Sequence, residues 1–276
     1  MRVYVSVDME GVAGISHPDP TRRDDPGYAA AVELMTGEAN AAIEGALAGG
    51  AREVVVNDSH GRMFNLPPAG LHPAARLVQG QKPMSMVEGA AEGRYDVALF
   101  VGYHARAGHP RGTIAHTYTG QLTLTTLDGR PTGEYGINAL YLGALDIPVG
   151  LVAGDDALAE EVASWLPWAE RAVVKRAIGG HAADALHPTA ARALIREAAQ
   201  RAVMRAAAPD GGLRPLVLPS PIRLGLEFAR AVEADYAALA PGFRREGDRG
   251  VAYEATDARE AFRAFVAAVR LASLVA

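Results

Sequence analysis

The segments MRVYVSVD (Met1–Asp8) and REVVVND (Arg52–Asp58) decide the fold. Each is a short β-branched run that ends on a polar residue, and the Ala-rich stretch Ala30–Ala48 between them repeats apolar residues at helical spacing. A strand, a helix and a second strand form the unit from which parallel sheets grow. The alternation continues: strands are expected at Val3–Val7, Glu53–Asn57, Arg76–Val78, Val97–Gly102 and Val149–Ala153, with helices at Tyr135–Leu145 and Ala157–Leu166. Most of these strands are almost continuously apolar, as in sheets covered on both faces. Thr113–Tyr118 and Leu122–Leu127 also read as strands, the second closed by a turn at Asp128-Gly129-Arg130. The expected class is α/β, a mostly parallel sheet with helices on both faces.

The texture changes after Trp165-Leu166-Pro167-Trp168. A strand near Ala172–Ala177, a long helix over Thr189–Ala207, a loop at Pro209–Pro215, a strand at Ile222–Phe228 and helices at Arg230–Leu239 and Asp257–Leu274 suggest a smaller α+β domain. Residues 1–168 would then carry the chemistry, with residues 169–276 as the second domain.

The 276 residues are 49% hydrophobic and 21% charged, ordinary values for a globular chain. Absence of cysteine excludes disulfides, thiolate metal sites and a cysteine nucleophile, so any chemistry must use oxygen and nitrogen. A formal charge of −5 gives no general attraction to nucleic acid or to anionic membranes. Of the 27 basic residues only Lys82 and Lys175 are lysines; the arginines are scattered, as codon usage in a GC-rich genome would leave them. The chain begins directly with a strand, shows no signal peptide, and has no stretch near the roughly 18 apolar residues a membrane helix needs. A soluble, cytoplasmic protein is expected.

In an open parallel sheet, functional side chains collect beyond the carboxyl ends of the strands. The first strand runs into Asp8-Met9-Glu10-Gly11, the second into Asn57-Asp58-Ser59-His60-Gly61, and the fourth into Gly102-Tyr103-His104-Ala105. Asp8, Glu10, His60 and His104 thus offer carboxylate and imidazole at one rim, the donor set of a divalent transition metal. Each alone has a plain structural explanation, a turn former or a structural histidine; their shared position is what points to a metal. Asp8 and Glu10, two apart, suggest a carboxylate shared between two ions, a site suited to amide, ester or phosphoester hydrolysis.

Glu134 opens the helix after the hairpin, with Asn138 four residues on and able to orient it; by itself Glu134 reads as a complement to the helix N-terminus. His116 lies in GTIAHTYTG (Gly112–Gly120), where alternation would place Ile114, His116 and Tyr118 on one face. It reads either as a hydrogen-bonded strand histidine or as a proton carrier. Asp155 and Asp156 read as helix caps, and Asp58 as a partner for a ligand or as a turn former. His17, His72, His109, His181 and His187 lie in loops or beside prolines and are assigned nothing. Walker, dinucleotide-binding, nucleophile-elbow and HExxH motifs are all absent.

The ordered segments SVDMEG, VNDSHG, MVEG, FVGYHA, HTYTG, GEYGINA and VAGDD resemble the bacterial D-aminopeptidases encoded with dipeptide-permease operons. The resemblance covers most of the chain and is strongest from Met1 to about Ala157. It implies a binuclear zinc peptidase that removes an N-terminal D-amino acid such as D-Ala from short peptides. It further implies that Asp8 bridges two zinc ions, with Glu10, His60, His104 and Glu134 as the other ligands and His116 as the catalytic residue. The family forms a ring-like homodecamer with its active sites on an inner channel. Rival readings are another metal-dependent amidase, a phosphoesterase, or a non-enzymatic ring scaffold with structural metals.

Overall fold

In the computed structural model, which describes residues 1–275, β1 (Arg2–Val7), α1 (Tyr28–Ala48) and β2 (Glu53–Asp58) form the start of a parallel sheet. The strands β3 (Ala75–Val78), β4 (Val97–Tyr103), β5 (Leu122–Leu127) and β6 (Arg130–Pro131) follow, then α2 (Glu134–Gly143), β7 (Val149–Asp155) and α3 (Asp156–Trp165). The chain continues through β8 (Glu170–Gly179), β9 (Ala182–Ala185), α4 (Pro188–Ala207), β10 (Ile222–Phe228) and α5 (Ala231–Ala237). It closes with β11 (Arg244–Glu246), β12 (Gly250–Ala255) and α6 (Ala258–Ala272).

Seven strands pair in the order β3-β2-β1-β4-β7-β8-β9, parallel except for the β8–β9 hairpin. Alternate residues of its central strands serve two cores. Val3, Val5 and Val7 of β1 face one way, with Val54, Leu99 and Leu151, and are covered by α1 and α4. Tyr4, Val55, Phe100 and Val152 face the other way, towards α2, α3 and α6. The near-continuous apolar strands of the sequence are therefore the strands buried on both faces, as expected.

The second sheet, β11-β12-β10-β5-β6, is antiparallel and packs with α6 against α2. Its β5–β6 turn places Asp128 and Gly129 at φ +50° and +76°, the twist a two-residue hairpin demands. The two sheets interleave along the chain. Residue 168 falls between β7 and β8, hydrogen-bonded neighbours in which Leu151 is level with Glu170. Strands β5 and β6, from before that residue, belong to the second sheet, so a division at 168 does not separate the sheets.

One expected strand is corrected. Thr113–Tyr118 forms no strand: Ile114 and Tyr118 take φ of +53° and +60°, and only an isolated bridge joins Thr117 to Thr119. The coiled backbone removes the alternation that would have put Ile114, His116 and Tyr118 on a common face. Strands β6, β9, β11 and β12 were not foreseen; the first three are very short, and all lie at or next to a sheet edge, where apolar patterning is weak.

Candidate metal centre

Strand register sets the site. Val7 is level with Asp58 on one side and with Val101 on the other, so β1 and β2 end at one height and β4 runs two residues further, to Tyr103. Asp8 follows directly, its N–H donating to the Val101 carbonyl at 2.8 Å, while the Ser59 N–H donates to Val7 at 2.8 Å. The β1 and β4 ends then touch backbone to backbone: the Gly11 N–H donates to Gly102 at 2.8 Å. A Cβ at Gly11 would lie 1.7 Å from the Tyr103 oxygen, and one at Gly102 would lie 2.1 Å from the Asp8 oxygen. Only glycine permits that approach, and it is what brings Glu10 and His104 beside Asp8.

The five residues singled out as ligands meet. Asp8 Oδ1 is 3.4 Å from His60 Nδ1, and its other oxygen, Oδ2, is 3.4 Å from His104 Nε2. Glu10 lies 2.9 Å from His60 Nδ1, and Glu134 lies 3.4 Å from His104 Nε2. One carboxylate is thus placed between two carboxylate–imidazole pairs. All five side chains are buried.

Carbonyls assign the ring protons, because a carbonyl can only accept. His60 Nε2 faces the Thr21 carbonyl at 2.9 Å, and His104 Nδ1 faces that of Ala105 at 3.0 Å. Each ring therefore donates away from the cluster and turns its other nitrogen inwards, the orientation a metal-binding imidazole needs. Among the described residues His104 Nε2 is buried and makes no hydrogen bond, although two carboxylates lie 3.4 Å away. A buried ring nitrogen without a partner, aimed between carboxylates, fits a cation.

Electrostatics agree. Asp8, Glu10 and Glu134 are buried together, and among the described residues their ion-pair partners are histidines alone. Burial and the neighbouring Glu10 charge push the Asp8 carboxyl up. Burial also acts to raise Glu10, but the charge and hydrogen bond of His60 outweigh it and hold Glu10 well below the usual range. Conversely, burial would depress His60 and His104, yet Glu10 and Asp8 around the first, and Glu134 and Asp8 around the second, hold both well above the ordinary imidazole value. The carboxylates draw protons onto the rings because the cluster lacks positive charge; divalent cations would replace those protons.

His116 reaches the same place by another route. Its ring stacks on His104 with centroids 4.1 Å apart and an interplanar angle of 11°, and Nε2 lies 3.8 Å from Glu134. Nδ1 faces the Ile114 carbonyl at 2.9 Å. The segment is held by tertiary bonds: Thr113 N–H to Asp155 at 2.8 Å, Ile114 N–H to Gly180 at 2.8 Å, and Tyr118 N–H to Glu134 at 2.6 Å. Ligand atoms of Asp8, Glu10 and His104 all lie within 4.8 Å of one another, and so do those of His104, His116 and Glu134.

Asn138 does not orient Glu134 as expected. Its side chain accepts from Tyr118 at 2.8 Å and donates to Tyr103 at 3.0 Å, so it steadies the Tyr118 segment. Asp58 accepts from the Asn65 and Leu66 N–H groups and shapes the loop after His60. Asp155 caps α3 through the Leu158 N–H at 2.8 Å, as read from the sequence. A cavity of about 100 Å³ opens over the cluster, walled by Ser59, Met63, Met86 and Tyr118. Sequence reasoning missed Tyr118, whose backbone N–H role leaves no trace in side-chain chemistry.

A family model described as D-aminopeptidase matches residues 1–267. The chain belongs to the D-aminopeptidase family. Within the family it is 39% identical over 276 residues to a D-aminopeptidase of Bacillus subtilis (strain 168), covering 99% of this chain and 98% of that protein. It also superposes on a solved structure described as the Zn-dependent D-aminopeptidase DppA from Bacillus subtilis, a self-compartmentalizing protease. The TM-score is 0.92 at 37% identity, over 99% of this chain and 98% of that one. Family and fold thus agree with what the sequence motifs implied.

Proposed function

We propose that this member of the D-aminopeptidase family removes an N-terminal D-residue, such as D-Ala, from short peptides with the help of two zinc ions per subunit. Glu10 and His60 would hold one ion, His104 and Glu134 the other, with Asp8 shared. The observation that carries this reading is that the two oxygens of Asp8 face His60 and His104 at 3.4 Å each. When bound, such a metal pair polarises a carbonyl and brings the pKa of water towards neutrality.

The chain's own residues do the rest. The cavity of about 100 Å³ admits one small residue end, and Met63, Met86 and Tyr118 shield it from water. His116 Nε2 is the group free to take up and return a proton at the reacting bond, because its Nδ1 proton is engaged by the Ile114 carbonyl. Ser59 and Tyr118 line the same cavity, the Tyr118 hydroxyl held by Asn138.

A homo-oligomer with enclosed sites, a ring-like decamer by resemblance, is the assembly we infer, supported by the self-compartmentalizing relative. We infer a cytoplasmic location and no nucleic-acid or membrane partner; no helix among the described residues is long and apolar enough to cross a membrane.

The test is metal analysis of protein purified without added zinc, joined to an activity panel. Two metals per subunit, loss of D-alanyl amide hydrolysis on chelation and its return with zinc are expected. Equal turnover of L-alanyl amides, or preference for nitrophenyl phosphate, would overturn the substrate assignment. Undiminished hydrolysis after complete metal removal would overturn the metal assignment.

A further inference from the structure

The chain uses arginine for nearly all its positive charge, and only Lys82 and Lys175 are lysines. Scattered arginines need no explanation, but the two exceptions share a place in the fold. Both are buried, Lys175 with 2% of its surface exposed and Lys82 with 8%. Neither forms an ion pair with a carboxylate among the described residues. Each ends on backbone that leads to a proposed metal ligand: Lys175 on the loop after β1, Lys82 on the last residue of β2.

Lys175 projects from β8 beneath the loop that follows β1. Its ammonium donates to three carbonyls of that loop, those of Glu10, Val12 and Ile15, the Val12 contact at 3.3 Å. An ammonium has three N–H donors radiating from one atom, so the cradle uses all of them. The same loop is also held by Glu38 of α1, which accepts the Ala13 N–H at 2.8 Å. Lys82 donates to the Asp58 carbonyl at 2.6 Å, two residues before His60. Glu10 and His60 are themselves 2.9 Å apart, so the two lysines act on the two partners of one ligand pair.

A guanidinium cannot replace Lys175. Its five N–H groups spread in a planar fork suited to paired oxygens and cannot converge on three carbonyls around a point. We propose that Lys175 and Lys82 are positioning residues whose ammonium groups hold the Glu10 and His60 loops in metal-binding geometry, so that they determine metal affinity on the Glu10–His60 side of the centre. The inference rests on the two-metal reading above. It predicts an asymmetry that a general packing role would not produce, because among the described residues neither lysine forms a hydrogen bond or ion pair with His104 or Glu134.

The experiment is stepwise calorimetric Zn²⁺ titration of chelator-stripped full-length protein, with thermal unfolding of each protein recorded in parallel. Wild type should take up two ions. Lys175→Met should weaken one of the two steps by about ten- to a hundredfold and leave the other within about twofold, as loss of a group supporting a metal ligand does. Lys82→Met should weaken the same step, and Lys175→Arg should resemble Lys175→Met. Lys175→Gln, which keeps two N–H donors at shorter reach, carries the test if the methionine variant does not fold.

Variants that unfold earlier yet bind both ions with wild-type affinity would overturn the inference, as would equal weakening of both steps. Wild type that takes up no metal would instead overturn the two-metal reading, a result distinguishable from either.

Discussion

Asp8 and Ser59 leave two parallel strands at one height, beside a third that ends at Tyr103, whereas His116 enters the same site on a segment that has no strand at all. The first wall is built by register. Its proposed ligands sit where the sheet ends, and two glycines let the backbones touch. The second wall is built by remote anchors: Asp155 and Gly180 hold Thr113 and Ile114, and Glu134 holds Tyr118. The contrast teaches that a regular scaffold suits groups that must converge on one point. An irregular segment suits the group whose ring must lie flat against a neighbour, as His116 does on His104.

The comparison can be broken from either wall. The largest effect is expected at the junction: Asp8→Ala should abolish metal retention and reduce hydrolysis to the level of stripped enzyme, read by metal analysis and kcat/KM. Because burial and Glu10 push the Asp8 carboxyl up, metal-free Asp8→Ala should unfold no earlier than its metal-free parent. Earlier unfolding would mean that Asp8 serves the scaffold more than the centre.

Next comes the irregular wall. His116→Ala should lower kcat by about 10²- to 10⁴-fold, the range of a lost acid–base group, with two metals still bound. If one metal were lost instead, His116 would belong with His104 and Glu134 as a ligand, as their proximity permits.

A smaller effect sharpens the regular wall. Burial raises the Glu38 carboxyl to about 7 from an ordinary 4.5. The folded state therefore favours the protonated form. The penalty is absent below about pH 4.5, grows as pH rises, and is complete above about pH 7, at about 3 kcal/mol or less. Glu38→Gln should flatten the fall in stability between those limits, measured by denaturant unfolding across pH. An unchanged slope would exclude Glu38 as its source.

The smallest effect is expected from Tyr118→Phe, which removes the 2.8 Å hydrogen bond to Asn138. A cost of about 1 kcal/mol is expected, with a several-fold loss in kcat and unchanged KM. An effect on KM alone would place the hydroxyl on substrate rather than on the segment.

What could be read in advance followed the same division. Asp8, Glu10, His60 and His104 were legible because apolar runs mark strands and the next polar residues must lie at a strand end. Asp155 was legible as a cap because capping is a local interaction. His116 was legible as a residue of interest, but its setting was not: GTIAHTYTG has the composition of a strand, and the anchors that coil it lie 42 and 66 residues away. Asn138 was assigned by helical spacing to Glu134 and found its partners across space instead. The lysines were visible only as a scarcity.

The sequence alone pointed to carboxylate and imidazole on a parallel sheet, with Asp8, Glu10, His60 and His104 at its rim, and Glu134 joined them only through the family resemblance. Those properties depend on residue type and local periodicity, which survive without knowledge of neighbours. Tertiary structure alone decided that the two oxygens of Asp8 divide between two histidines, that His116 stacks on His104, and that two sheets share the chain across residue 168. It also decided that Lys175, 165 residues from Glu10, ends on the Glu10 carbonyl. Such contacts join residues far apart along the chain, and their geometry follows from packing rather than from any pattern within a single segment.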